Sequence, residues 1–352
     1  MATLTAAQRQ TQAEAVTAAF LVAMNRIGAG TLAESLVSWE QDVPLAGAAG
    51  AGARWLTRRV RSVMAQRRRA HRLAVAYYRL IRALRTGRTV GPEDGTTTLG
   101  ELRGDFARLA GPLPDRLRAG AGLNPGAPGG SDVIPVERLD GWESDDERQE
   151  RDAEDEAREA LTNLGLRNLR WKLRDVDRDS PAEKRDADRE EAHRKAGRRQ
   201  AAASERIALN GGRGKVWDLA GKDKRVLGYI RVSQTGTPCS WCAMLISRGP
   251  VYRSRESGSV LSAGSRSVRK GTYEEGDLYH DNCKCTVEPV YSREQYKEGS
   301  LYALNREYEE LWPKVTKGLS GKAARRAWRR FFYTQERARA QAAAQTQLAQ
   351  EA

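Results

Sequence analysis

Phenylalanine is scarce in this chain: there are four in 352 residues, beside four cysteines, four methionines and three histidines. So lean a set of large apolar side chains argues against one ordinary core for the whole length. It favours folded parts joined by solvated segments. No apolar run approaches the roughly 18–20 residues that span a bilayer. The best candidate, residues 18–24, is short, lacks a basic leader and reads as one face of a helix. Synthesis in a reducing cytoplasm is therefore expected, which disfavours disulfides. Histidine is too rare to offer many catalytic bases. His71 and His193 stand in arginine-rich helical stretches and read as exposed, which leaves His280.

Charge is what the sequence has in quantity. The net is +14, laid down in blocks. Residues 51–90 hold twelve Arg and no acid, residues 141–160 hold ten acids against three Arg, and the last 52 residues hold ten Lys/Arg against five Glu. Blocks of this kind are solvated helix faces or contacts with charged partners. A uniformly basic nucleic-acid domain would look different.

Apolar spacing places the elements. Val16, Phe20, Met24 and Ile27 recur at helical intervals, and Gly28 with Gly30 is read as ending that helix. Thr31 with Glu34 fits a capping box for a second, short helix. A long basic helix is expected from about Trp55 to Leu84. Leu73, Tyr77, Leu80, Ile81 and Leu84 form its apolar face, arginines its remaining surface, and Gly87 its end. Residues 111–135 are too rich in Pro and Gly to hold a regular element for long. The charged stretches 141–160 and 182–209 read as exposed helices or connector. After Asn210-Gly211-Gly212 the character turns to β, with strands expected around 225–233, 249–253 and 285–291 and a Gly/Ser-rich loop at 254–277. Helix returns from Leu301.

The expected fold class is α+β: a mostly helical N-terminal half, a charged connector, and a small zinc-stabilised α+β C-terminal domain with a trailing helix. The corresponding divisions are a helical domain with the basic helix at 1–110, a Pro/Gly-rich then charged connector at 111–199, the Cys/His domain at 200–292, and a basic, aromatic helix and tail at 293–352.

All four cysteines fall between 239 and 285, as Cys239-Ser-Trp-Cys242 and His280-Asp-Asn-Cys283-Lys-Cys285. Two cysteines three apart present both sulfurs from one tight knuckle, and two cysteines two apart in extended chain point the same way. Together they offer a Cys₄ set, or a Cys₃His set if His280 replaces one sulfur. Either suits structural Zn²⁺, whose sites are closed by four protein ligands. Two disulfides, a redox Cys-x-x-Cys pair, or a cysteine nucleophile with His280 as base are the competing readings. The closed ligand set favours the metal.

The wording around these residues is more specific still. Arg231-Val-Ser233, Pro238 through Tyr252 and Tyr279 through Cys285 resemble the C-terminal domain of minor capsid proteins of the phage Mu F type. Tyr77-Tyr78-Arg79-Leu80 and Arg85-Thr-Gly-Arg-Thr89 resemble the form found in phages of actinobacteria. The resemblance is specific over about 200–292 and looser upstream. It implies a head-morphogenesis protein at the portal and procapsid interior, made in the host cytoplasm and carried in the virion. Its implied partners are the portal protein, capsid or scaffold proteins and packaged DNA, with which it would be ejected. The capsid maturation protease activity sometimes attached to such proteins is the enzymatic alternative, and a non-specific DNA-binding protein is the other. For contact with phosphate or an acidic partner, the candidates are Arg67, Arg68 and Arg69 in the first basic helix. Lys322, Arg325, Arg326, Arg329 and Arg330 are those near the C-terminus. Trp328 and Phe332, four apart, read first as packing residues.

Overall fold

Thr5 opens the first helix with a capping box: its hydroxyl accepts the Gln8 N–H at 3.2 Å, and the Gln8 side chain accepts the Thr5 N–H at 2.9 Å. The computed structural model, which describes residues 4–45, 49–142, 146–233, 238–250, 283 and 285–351, carries this helix, α1, from Ala6 to Asp42. Val16, Phe20, Met24 and Ile27 are buried, as their spacing implies. The break expected at Gly28 and Gly30 does not occur. Thr31 lies inside the helix and donates its hydroxyl to the Ile27 carbonyl at 2.7 Å instead of capping a new one. Gly28 has a packing role, since a Cβ there would stand 2.9 Å from the Glu205 carboxylate. By length and mean hydropathy α1 could cross a bilayer. Its buried apolar residues from Ala13 to Ile27 belong to the principal core and Trp39 to a second cluster, while Val37 is exposed.

The second helix, α2 (Ala49–Thr86), begins earlier than expected and closes where expected, with the Gly87 N–H on the Ala83 carbonyl. Leu73, Tyr77, Leu80, Ile81 and Leu84 are all buried, and Tyr77 stacks on Phe20 at 4.0 Å. Its arginines do not all occupy the surface, however. Arg59, Arg67 and Arg82 are buried, each beside a carboxylate that compensates its charge: Glu34, Glu150 and Asp223 respectively.

A third long helix completes the centre. α7 (Arg185–Lys222) packs along both α1 and α2. It therefore runs through the stretch expected to be exposed connector, and from Gly197 onward most of it is buried. The Asn210-Gly211-Gly212 sequence lies mid-helix at the crossing. A Cβ on Gly211 would collide with the Arg67 carbonyl oxygen, and one on Gly212 would stand 2.7 Å from the Met24 methyl. His193 on the same helix is buried, not exposed. Its ring bonds the Val43 carbonyl at 2.8 Å and lies against Trp39.

Between α2 and α7 the chain builds two smaller layers. β1 (Thr89–Gly91), β2 (Gly95–Thr98) and β3 (Val133–Arg138) form a sheet in the order β1-β3-β2. β3 is parallel to β1 and antiparallel to β2. α3 (Leu99–Ala110), capped by Thr98 and Glu101, and the short α4 (Asp115–Gly120) connect them. The Pro/Gly-rich stretch thus ends in a paired strand. α5 (Asp146–Leu161), a π-helical turn at 162–167 and α6 (Asn168–Asp179) follow. They bury Ala157, Leu161 and Leu169 against Trp39, Trp55 and Val63 in a second apolar cluster. Trp171 stays outside, 57% exposed. The acidic face of α5 meets the basic chain, with Glu150 on Arg67 and Arg68 and Glu156 on Arg206.

Beyond α7, β4 (Gly228–Ser233) pairs antiparallel with β5 (Cys285–Val290), and α8 (Ser240–Ile246) lies between them in sequence. α9 (Arg293–Glu298), α10 (Ala303–Val315) and α11 (Gly321–Glu351) trail behind. The principal apolar cluster includes Phe20 and Tyr77 at one end and Ile230, Val287 and Trp328 at the other. The line drawn at 199/200 passes through α7.

Candidate metal centre

Each cysteine owes its position to a short piece of regular structure. Cys239 is the N-cap of α8, with extended backbone, and its Sγ accepts the Cys242 N–H at 3.4 Å. The first helical turn then brings Cys242 round to the same side as the cap, which is how a Cys-x-x-Cys knuckle aims two sulfurs together. Cys285 begins β5 opposite Ser233, the last residue of β4, so the ladder fixes its height against the start of α8. Cys283 precedes it by two residues.

The result is a buried triad. The Sγ atoms of Cys242, Cys283 and Cys285 all lie within 4.8 Å of one another, and Cys242 and Cys283 are 3.4 Å apart. These residues are 1%, 3% and 1% exposed, whereas Cys239 is exposed beside them. Three cysteines could therefore hold a metal ion, with Cys239 next to Cys242. His280, the fifth candidate ligand and the base of the enzymatic alternative, lies outside the described residues. So do the Gly/Ser-rich loop and Val251–Arg253.

Three of the four donors that a tetrahedral ion takes are in place. Thiolates at about 2.3 Å from zinc stand roughly 3.8 Å apart, close to the spacing of the two nearest sulfurs. Charge fits as well. Four thiolates around a divalent cation carry a net −2, and two arginines with no exposed surface, Arg213 on α7 and Arg231 on β4, flank the cluster. Arg213 donates to the Cys283 carbonyl at 2.6 Å, and Asn305 on α10 donates to the Arg231 carbonyl at 2.7 Å. Hydrogen bonds from Cys242 and then Cys285 hold the Cys283 thiol well below its ordinary range, and the charges of Arg213 and Arg231 act the same way. The Cys242 thiol is pushed up, chiefly by its hydrogen bond with Cys239.

The sequence showed Arg231 only as part of the Arg231-Val-Ser233 run, and gave Arg213 and Asn305 no role at all. Arg213 had one available signal, the run Asn210-Gly-Gly-Arg-Gly214, whose small residues admit a close neighbour. Asn305 had none. A second polar constellation was also invisible. Asp223, at the turn between α7 and β4, accepts from Tyr78 at 2.9 Å and from Arg82 at 2.6 Å. Arg82 also reaches Glu137 on β3, which Arg225 grips at 2.7 Å. These bonds fasten the small sheet and the α7–β4 turn to α2.

The two groups of basic contact candidates separate. Arg67 is buried, with Nη1 on the Ile207 carbonyl at 3.3 Å, and does not lie on the surface where a phosphate contact was expected. Its role is to hold α7 and Glu150. Arg68 pairs with Glu150 at 3.5 Å, and Arg69 is exposed. Lys322, Arg325, Arg326, Arg329 and Arg330 are all exposed on α11. Trp328 and Phe332 are core residues, as expected. Trp328 is 1% exposed, packs on Trp312 at 5.0 Å and donates its indole N–H to the Ser240 carbonyl at 2.9 Å.

Comparison with known proteins agrees on where the chain is distinctive. The VG15 protein family matches residues 159–315, which include α7, both strands of the ladder and every cysteine. A Gene 15 protein of Mycobacterium phage D29 is 35% identical over 86 residues, 21% of this chain. The chain spans 31% of that relative's length. No solved structure matches. The chain is thus similar, over part of its length, to a bacteriophage protein.

Proposed function

We propose that this chain is a minor structural protein of a bacteriophage head, of the Mu F type, whose C-terminal part is stapled by zinc. The observation that carries the reading is the buried cysteine triad at the junction of α8, β5 and α7, inside residues 159–315, which the VG15 protein family matches. Completed to four ligands by Cys239 or His280, a sulfur site flanked by buried arginines would serve stability more readily than catalysis, because it would leave no coordination position for a substrate. Cys239, Cys242, Cys283 and Cys285 would hold the ion, with His280 as an alternative ligand or a hydrogen-bonding neighbour. Bound zinc would fix the start of α8 to the start of β5 by replacing thiol protons with metal–sulfur bonds. The residues described here would carry the remaining work: the helical core presents a rigid body to the portal, capsid or scaffold, and α11 extends from it.

Quantitative mass spectrometry of purified particles of the phage that encodes this chain tests the assignment. A few copies per particle, co-purifying with the portal when heads are opened, is the expected result. Absence from finished particles and from procapsids would contradict it.

A further inference from the structure

The arginines of α2 and the cations of α11 look alike in the sequence and differ in the fold. Six of the eleven arginines of α2, Arg58, Arg59, Arg67, Arg68, Arg82 and Arg85, stand within ion-pair distance of a carboxylate, whereas Arg54, Arg61, Arg69 and Arg72 are exposed. Lys322, Arg325, Arg326, Arg329 and Arg330 on α11 are exposed, and no ion pair joins them to an acid among the described residues. Their spacing repeats at three to four residues, so they line one face of the helix over two turns and more.

That face borders a groove. Ser240, Trp241 and Met244 of α8 form one wall and Trp328 the floor of a cavity of about 340 Å³, with Lys322, Arg325, Arg326 and Arg329 around its rim. A second cavity of about 700 Å³ shares Lys322, Arg326 and Arg329 and adds Leu319, Ala323, Arg330 and Tyr333. Neither is lined by a carboxylate. Tyr333 is 49% exposed, and the Arg329 guanidinium lies 5.3 Å from its ring centre. The platform is firmly held, because Trp328 and Phe332 are buried against Tyr308.

We propose that the α8–α11 groove binds single-stranded nucleic acid without sequence preference, phosphates along the cation row and bases on the accessible ring surface of Tyr333 and the half-buried Trp241. A groove of unpaired cations beside apolar ring surface is the arrangement such binding needs. A duplex would offer its phosphates but keep its bases stacked away from Trp241 and Tyr333. The inference stands apart from the metal site and from the virion assignment.

The test is fluorescence anisotropy on the full, reduced protein with a labelled oligothymidylate of about 20 nucleotides and a duplex of equal length. The wild type is expected to prefer the single strand, with affinity falling steeply between about 50 and 200 mM salt. Changing Arg325, Arg326, Arg329 and Arg330 together to Gln should reduce the slope of log affinity against log salt by about 3, at roughly 0.7 per lost contact. Tyr333→Ala should weaken single-strand binding roughly tenfold. Arg68→Gln with Arg69→Gln on α2 should change little. Because these side chains are exposed, circular dichroism should show every variant folded. Three results would each overturn the proposal: an unchanged slope in the fourfold variant, tighter binding to the duplex, or equal competition by polyglutamate, which would mark the groove as a site for an acidic protein.

Discussion

Glu288 is a carboxyl taken wholly out of water. It has no exposed surface and accepts the hydroxyls of Tyr302 at 2.8 Å and Thr17 at 3.3 Å. Arg85 is its nearest cation, at 3.8 Å. Burial pushes its carboxyl up to about 7, against the pull of Arg85. A carboxyl raised in the fold keeps its proton where the unfolded chain has lost it. Stability is therefore lost as pH rises from the unfolded value near 4.5 to about 7, and is flat beyond. Glu137 behaves in the opposite sense. Hydrogen bonds from Arg225 and Arg82 hold it down to about 2, so its contribution disappears only as pH falls toward that value. Glu288→Gln, which keeps the hydrogen-bonding shape without the titration, should flatten the stability profile between about pH 5 and 7 by at most about 3 kcal/mol. Urea midpoints of both proteins at the two pH values measure this, and metal–thiolate exchange is common to both. An identical pH dependence in the variant would rule the account out.

At the scale of elements, glycine shows how much depends on partners remote in sequence. Gly30 and Gly211 both lie inside long helices, where glycine costs about 1 kcal/mol relative to alanine. A Cβ on Gly30 meets nothing within 4 Å, whereas one on Gly211 strikes the backbone of α2. Gly30→Ala should therefore stabilise the protein by up to about 1 kcal/mol. Gly211→Ala should destabilise it by about 1–3 kcal/mol, because backbone cannot swing aside as a side chain can. Thermal denaturation of the two variants checks the pair, and equal effects of the same sign would contradict the packing described. Local pattern alone could not tell these glycines apart, which is why Gly28 and Gly30 read as a helix end and Asn210-Gly211-Gly212 as the point where the chain turns to β. What local pattern could carry, it did: the stripes of α1 and α2 follow from helical spacing, and the β4–β5 strands from their β-branched runs. β3 was hidden because Val133–Arg138 is a strand only by pairing with residues 89–98. The burial of Arg67, Arg82 and Arg213 was hidden because a lone arginine looks the same whether or not a partner waits for it.

At the scale of the molecule, a chain with four phenylalanines reaches a continuous apolar cluster through tryptophan, tyrosine, leucine and closely packed alanine. α7 joins the regions that composition divided, since one end lies beside Trp39 and Trp55 and the other supplies Arg213 to the cysteine cluster. The cluster itself was legible because metal ligands must be close in sequence pairs and few in kind. Its arginine partners were not, because they come from α7 and β4. The central claim is that these sulfurs hold a metal that stabilises the fold, as structural zinc does in small domains by an apparent ~10–16 kcal/mol. The most direct measurement is metal content and thermal stability of protein purified under reducing conditions, with a chelator titration of the wild type beside Cys242→Ser and Cys283→Ser. The account predicts about one zinc per chain, a melting temperature that falls as the chelator removes it, and both variants metal-poor and destabilised. Metal-free reduced protein that melts at the same temperature with zinc or chelator, and is matched by both variants, would contradict it.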